Sequence, residues 1–117
     1  MRTSFLIGAI TIALAGCGKP LTPEQKEARA CSPTMAYVMS HAFVERRLKA
    51  PSTADFGSYS DSRVVPVPAN ASACRFLVVG YVDAQNGFGA MIRSSYTVTM
   101  EKVKGEDSWI AHDLKIN

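Results

Sequence analysis

From Cys74 to the C-terminus the chain alternates with a period of two, and this pattern constrains the fold more than any other. Arg75 to Asp83 puts Phe76, Val78 and Val82 on one face and Leu77, Val79 and Tyr81 on the other. Gln85-Asn86-Gly87 supplies residues tolerant of left-handed backbone, so the next strand, Ala90 to Val103, is expected to return antiparallel. Along it Ile92, Tyr96, Val98 and Met100 alternate with Arg93, Ser95, Thr97, Thr99 and Glu101, a half-buried pattern. Gly105-Glu106-Asp107 turns the chain again, and Ser108 to Ile116 closes the sheet. Trp109 and Ile110 then point to opposite faces, and periodicity alone does not say which is inward.

Such a sheet needs a cover, and the preceding residues supply one. Ser32 is placed to cap a helix with Pro33 at its first position, and no breaker follows until Pro51, which predicts a helix from Thr34 to Lys49. At 100° per residue Tyr37, His41, Val44 and Leu48 form the core-facing stripe. Met35, Val38, Met39 and Ala42 form a second apolar side, read as packing or as a place where a partner docks. Arg46, Arg47 and Lys49 lie at the negative end of the helix dipole, where solvation and end stabilisation account for them. Ser52 to Phe56 predicts one tight helical turn aiming Phe56 at the core, and Arg63 to Val67 a short strand that Pro66 and Pro68 confine to an edge. Upstream, Thr22, Pro23 and Gln25 have the spacing of a capping box, so a brief helix over Pro23 to Ala30 is expected inside a polar tether. The expected class is α+β: one main helix on an antiparallel sheet of three or four strands, in a domain spanning 31–117.

The first residues read as an address. Arg2 is followed by an apolar run from Phe5 to Leu14, too short to span a bilayer, which has the form of an export signal over 1–16. Its end, Leu14-Ala15-Gly16-Cys17, resembles the lipobox of bacterial lipoproteins. The resemblance implies cleavage before Cys17, acylation of that cysteine with diacylglycerol and palmitate-type chains, and a lipidated tether over 17–30. It places the chain in the bacterial cell envelope, held to a membrane by lipid. Gly18 is not the aspartate associated with inner-membrane retention, so the periplasmic face of the outer membrane is the expected site.

With Cys17 assigned to lipid, Cys31 and Cys74 are the two cysteines left, and an oxidising compartment favours a bridge between them. Such a staple would remove about 4 kcal/mol of unfolded-state entropy, a large share of the stability of a domain of about a hundred residues. A reactive thiol pair or a metal site are the alternatives. Neither has support in a Cys-x-x-Cys spacing or a paired histidine. The formal charge of +3 is weak, and this argues against nucleic acid as a partner.

Catalytic templates fail at identifiable points. His41 lies on a largely apolar helix face, where a partly buried, hydrogen-bonded side chain is expected, and His112 stands beside Asp113 without a nucleophile elbow. The acidic residues fall mostly in turns or on exposed strand positions, and phosphate loops, dinucleotide fingerprints and metal motifs are absent. No catalytic residue, metal or cofactor is expected. The stretches Leu48 to Phe56 and Tyr81 to Arg93 together resemble a recurring, largely uncharacterised domain of small exported and prophage-borne bacterial proteins. That resemblance implies a helix-on-sheet fold and no activity. Within the second stretch, Asp83, Gln85, Asn86, Phe88 and Arg93 form either a recognition loop or a bulged turn closed by an Asp83–Arg93 pair. The expected function is a non-enzymatic, lipid-anchored protein binding another envelope component. A small periplasmic inhibitor, or an exclusion lipoprotein acting against phage or conjugation, is the alternative.

Overall fold

A computed structural model describes residues 19–68 and 74–117. The segment read as an export signal over 1–16, together with Cys17, lies outside the described residues. Two helices come first, α1 (Pro23–Ala30) and α2 (Pro33–Glu45). Five strands follow: β1 (Asp55–Phe56), β2 (Arg63–Pro66), β3 (Cys74–Gln85), β4 (Met91–Lys102) and β5 (Trp109–Ile116). All pairings are antiparallel, with β3 and β4 central, β5 beyond β4, and both β1 and β2 on the far side of β3. The class is therefore α+β, and among the described residues the sheet has five strands where three or four were expected. The extra strand arises because one edge of the sheet is broken in two. Phe56 pairs with Val82, a single 3-10 turn at Tyr59–Asp61 intervenes, and the chain rejoins β3 with Arg63 opposite Val79.

Both helix starts follow their sequence signals. Thr22 Oγ1 accepts from the Gln25 amide while Gln25 Oε1 accepts from the Thr22 amide, and Ser32 Oγ accepts from the Met35 amide. The end of α2 departs from expectation. The helix stops at Glu45 instead of Lys49, and the chain tightens into i→i+3 bonds from Arg47 to Val44 and from Leu48 to Glu45. Pro51 then bars Ala50 from helical backbone, so the chain does not return to α-helix before it. The turn that follows begins at Pro51, not Ser52, and Thr53 Oγ1 donates back to the Ala50 carbonyl.

The core lies between α2 and one face of the sheet. Ala36, Tyr37 and Val44 of the helix meet Phe76, Val78, Val82, Tyr96, Val98, Met100, Trp109 and Leu114 of the strands. Trp109 is the inward member of its pair, leaving Ile110 exposed on the opposite face. Ser40 is fully buried and satisfied: its hydroxyl donates to the Tyr37 carbonyl and lies 3.5 Å from the Tyr96 hydroxyl. The Tyr37 hydroxyl donates to the Gly57 carbonyl, and burial pushes its pKa up to about 12. Gly57 itself lies against the Tyr81 ring, where a Cβ would come within 2.6 Å of ring carbon.

His41 differs from its expected state. Its ring stacks on Phe56 at 3.9 Å and meets Tyr37 edge-on, but its buried Nε2 has no hydrogen-bond partner. Aromatic packing on both sides leaves no polar group in reach, and burial holds the imidazole pKa below its ordinary value, with Glu45 opposing.

Candidate functional site

The β3–β4 ladder has two dissimilar ends. Cys74 pairs with Lys102 at one and Gln85 with Met91 at the other, about 35 Å away at the rise of extended backbone. At the first end Cys31 and Cys74 form a disulfide, with Cα atoms 5.7 Å apart, joining the α1–α2 junction to the start of β3. Beside it the Lys102 ammonium is almost wholly enclosed. It donates to Glu27 Oε2 at 2.8 Å and to the Glu106 carbonyl at 2.7 Å, with Val103 a longer third acceptor. Glu27 Oε2 also accepts from the Gly105 amide, and these bonds hold its carboxyl below the ordinary range. The segment read as a solvated tether is thus docked, although α1 buries none of its own residues. Sequence periodicity missed this because the contact is one carboxylate on one lysine 75 positions away.

At the other end lies the loop marked out in the sequence, and the structure divides its residues among separate tasks. Asp83 and Arg93 face each other across the strands in a two-bond ion pair of 2.8 and 3.0 Å, with the guanidinium 3.9 Å from the centre of the Tyr81 ring. The pair holds the Asp83 carboxyl below its usual value. Asn86 Oδ1 accepts from the amides of Phe88 and Ala90, closing the turn. The left-handed residue is Gly89, at φ +80°, and neither Asn86 nor Gly87 takes that conformation. The Asn86 side chain bonds forward to the loop amides, and this defers the reversal to the second glycine. Phe88 is 97% exposed, with Met91 and Ile92 beside it half exposed.

Leu48 to Phe56 and Tyr81 to Arg93, far apart in sequence, lie side by side. Asp55 pairs with Asp83, Phe56 with Val82, and the Gln85 amide donates to Thr53 Oγ1 at 2.9 Å. Between them is a shallow cleft of about 210 Å³. Arg47, Leu48 and Lys49 line it together with Ala84, Ile92 and Ser94 of the hairpin. Gln85 and Asn86 line it too, whereas Asp83, Phe88 and Arg93 do not. Ile92, expected inward, is uncovered because α2 ends before reaching it. The cleft residues after α2 were invisible as a site in the sequence, where they continue a helix. Arg47 is not merely solvated, since its guanidinium donates to the Leu114 carbonyl at 2.7 Å.

Elsewhere, His112 Nε2 lies 3.0 Å from Glu101 Oε1 on the sheet face away from α2, with Arg75 on the other carboxylate oxygen at 3.6 Å. Among the described residues no serine or cysteine joins this cluster by a hydrogen bond. Among the described residues no group of histidine, cysteine or carboxylate side chains could hold a metal, and no helix is long and apolar enough to cross a membrane. Comparison of the chain with protein-family models, with curated proteins and with solved structures found no match.

Proposed function

We propose that this chain is a lipid-anchored bacterial envelope protein without catalytic activity, acylated at Cys17, that uses a small domain built on one main helix, α2, to bind another envelope component. The address rests on the order Arg2, apolar run, Leu14-Ala15-Gly16-Cys17. The binding role rests on one observation: the hairpin end carries Phe88 at 97% exposure beside half-exposed Met91 and Ile92. Isolated exposed apolar side chains are ordinary, but three within five residues at one hairpin end, with Met91 and Ile92 on opposite strand faces, concentrate apolar surface there. This end lies opposite the one where α1, the element nearest Cys17 in sequence, is fastened through Glu27. A membrane anchor near α1 would leave the hairpin directed away from the bilayer, toward a partner.

The test has two parts. Metabolic labelling with a palmitate analogue is expected to mark the wild-type chain and to vanish in Cys17→Ser; persistent labelling would remove the anchor. Pull-down from envelope extract is expected to recover assembly or wall components. Recovery of a single soluble protein in stoichiometric amount would favour the inhibitor or exclusion reading instead.

A further inference from the structure

We propose that the cleft between the end of α2 and the β3–β4 hairpin is the docking site for a short acidic and apolar segment of a partner protein, an inference that rests on the binding role above and names the chemistry of the partner. Leu48, Ala84 and Ile92 supply its apolar lining, and among the described residues Arg47 and Lys49 are the charged groups that line it. Among the described residues no carboxylate lines the cleft and neither cation takes part in an ion pair. The hydrogen bond from Arg47 to the Leu114 carbonyl fixes the guanidinium in place without neutralising it. Lys49 runs past Gly87, its Nζ 3.9 Å from where a Cβ would stand there, so the ammonium lies over the loop. Positive charge of one sign around an apolar hollow is complementary to a ligand with carboxylates flanking an apolar side chain.

The concavity decides between classes of occupant. A bilayer surface is flat and rewards protruding apolar groups, whereas a hollow of about 210 Å³ is the size of one or two side chains and accepts a protruding one. The loop is prepared for this role. Asn86 fixes its backbone through two amides, and the Asp83–Arg93 pair closes the strands behind it, so little ordering is left to occur on binding.

The full chain, labelled with ¹⁵N, would be titrated with the blocked peptide Asp-Leu-Glu-Phe-Asp and with its neutral twin Asn-Leu-Gln-Phe-Asn. The acidic peptide is expected to give saturable shifts at the amides of Leu48, Lys49, Gln85 and Ser94, with affinity at least about tenfold above that of the neutral twin. Lys49→Glu and Ile92→Ser, both at exposed positions, are each expected to weaken it about tenfold or more while the remaining spectrum is unchanged. Equal affinity for the two peptides, or shifts that map elsewhere, or no shifts, would overturn the proposal. So would the same shifts produced instead by phosphatidylcholine vesicles containing about one-quarter phosphatidylglycerol, which would make the surface a membrane contact. A failed titration alongside successful labelling at Cys17 and a recovered partner would reject the cleft alone, leaving the anchored, binding role intact.

Discussion

The two ends of the β3–β4 ladder solve different problems with the same backbone. At the Cys74 end the chain is tied through side chains: a disulfide over 43 positions, and a lysine enclosed by one carboxylate and backbone carbonyls. At the hairpin end it is tied locally, by loop hydrogen bonds and an ion pair open to water, and its large apolar groups are left outside. Non-local ties are strong in proportion to the chain entropy they remove, while local ones set shape at little cost in exposure. The contrast teaches that the end nearest the N-terminal segment is held by non-local ties, whereas the far end keeps its shape locally and leaves apolar side chains exposed.

The largest expected effect is at the first end. Replacing both Cys31 and Cys74 by Ala should lower unfolding free energy by about 4 kcal/mol in urea titration. A loss under about 1 kcal/mol would show that the end is held by packing instead. Next, Glu27→Gln should free α1 without unfolding the sheet. Hydrogen exchange at the α1 amides is expected to lose its protection while that at Val78 and Val98 persists; unchanged α1 protection would mean that Lys102 does not hold it.

A smaller effect separates the core from both ends. Folding lowers the affinity of His41 for a proton, so the unfolded chain binds one more readily. Its contribution to stability is therefore complete above the ordinary value of 6.5 and is lost as pH falls from there through the lowered value. His41→Phe should flatten the melting temperature between those limits. A slope identical to wild type would place the titrating group elsewhere. Smallest in stability is Arg93→Ala, which opens an ion pair in water and should move the melting temperature by no more than about 2 °C. Phe88→Ser should leave it still less altered while reducing recovery of the envelope partner. A large fall in melting temperature for either would mean that the hairpin end supports the fold as well as displaying a surface.

Much of the local structure was readable residue by residue. The caps at Thr22 and Ser32 and the alternation along β3 and β4 follow from patterns within about a dozen residues; which face of β3 turns inward, and the exposure of Ile92 in the β4 set, do not. The candidate loop was readable as a location but not as a division of labour. Whether Asp83 faces a ligand or Arg93 depends on strand register, and the sequence around the turn suggested a different left-handed residue from the one used. The cleft was not readable, because it exists only where α2 ends four residues before Lys49 and the hairpin overshoots it.

What the sequence determined by itself was whatever is decided by neighbours along the chain: the period-two alternation of the strands and the helix caps. What only the tertiary structure decided was whatever depends on distant segments sharing space. The docking of Glu27 on Lys102, the face taken by Trp109, the unpartnered Nε2 of His41 and the uncovered side of Ile92 are of this kind. The physical reason is that propensity acts over a turn or a strand, whereas burial and charge pairing are set by whichever surface arrives opposite.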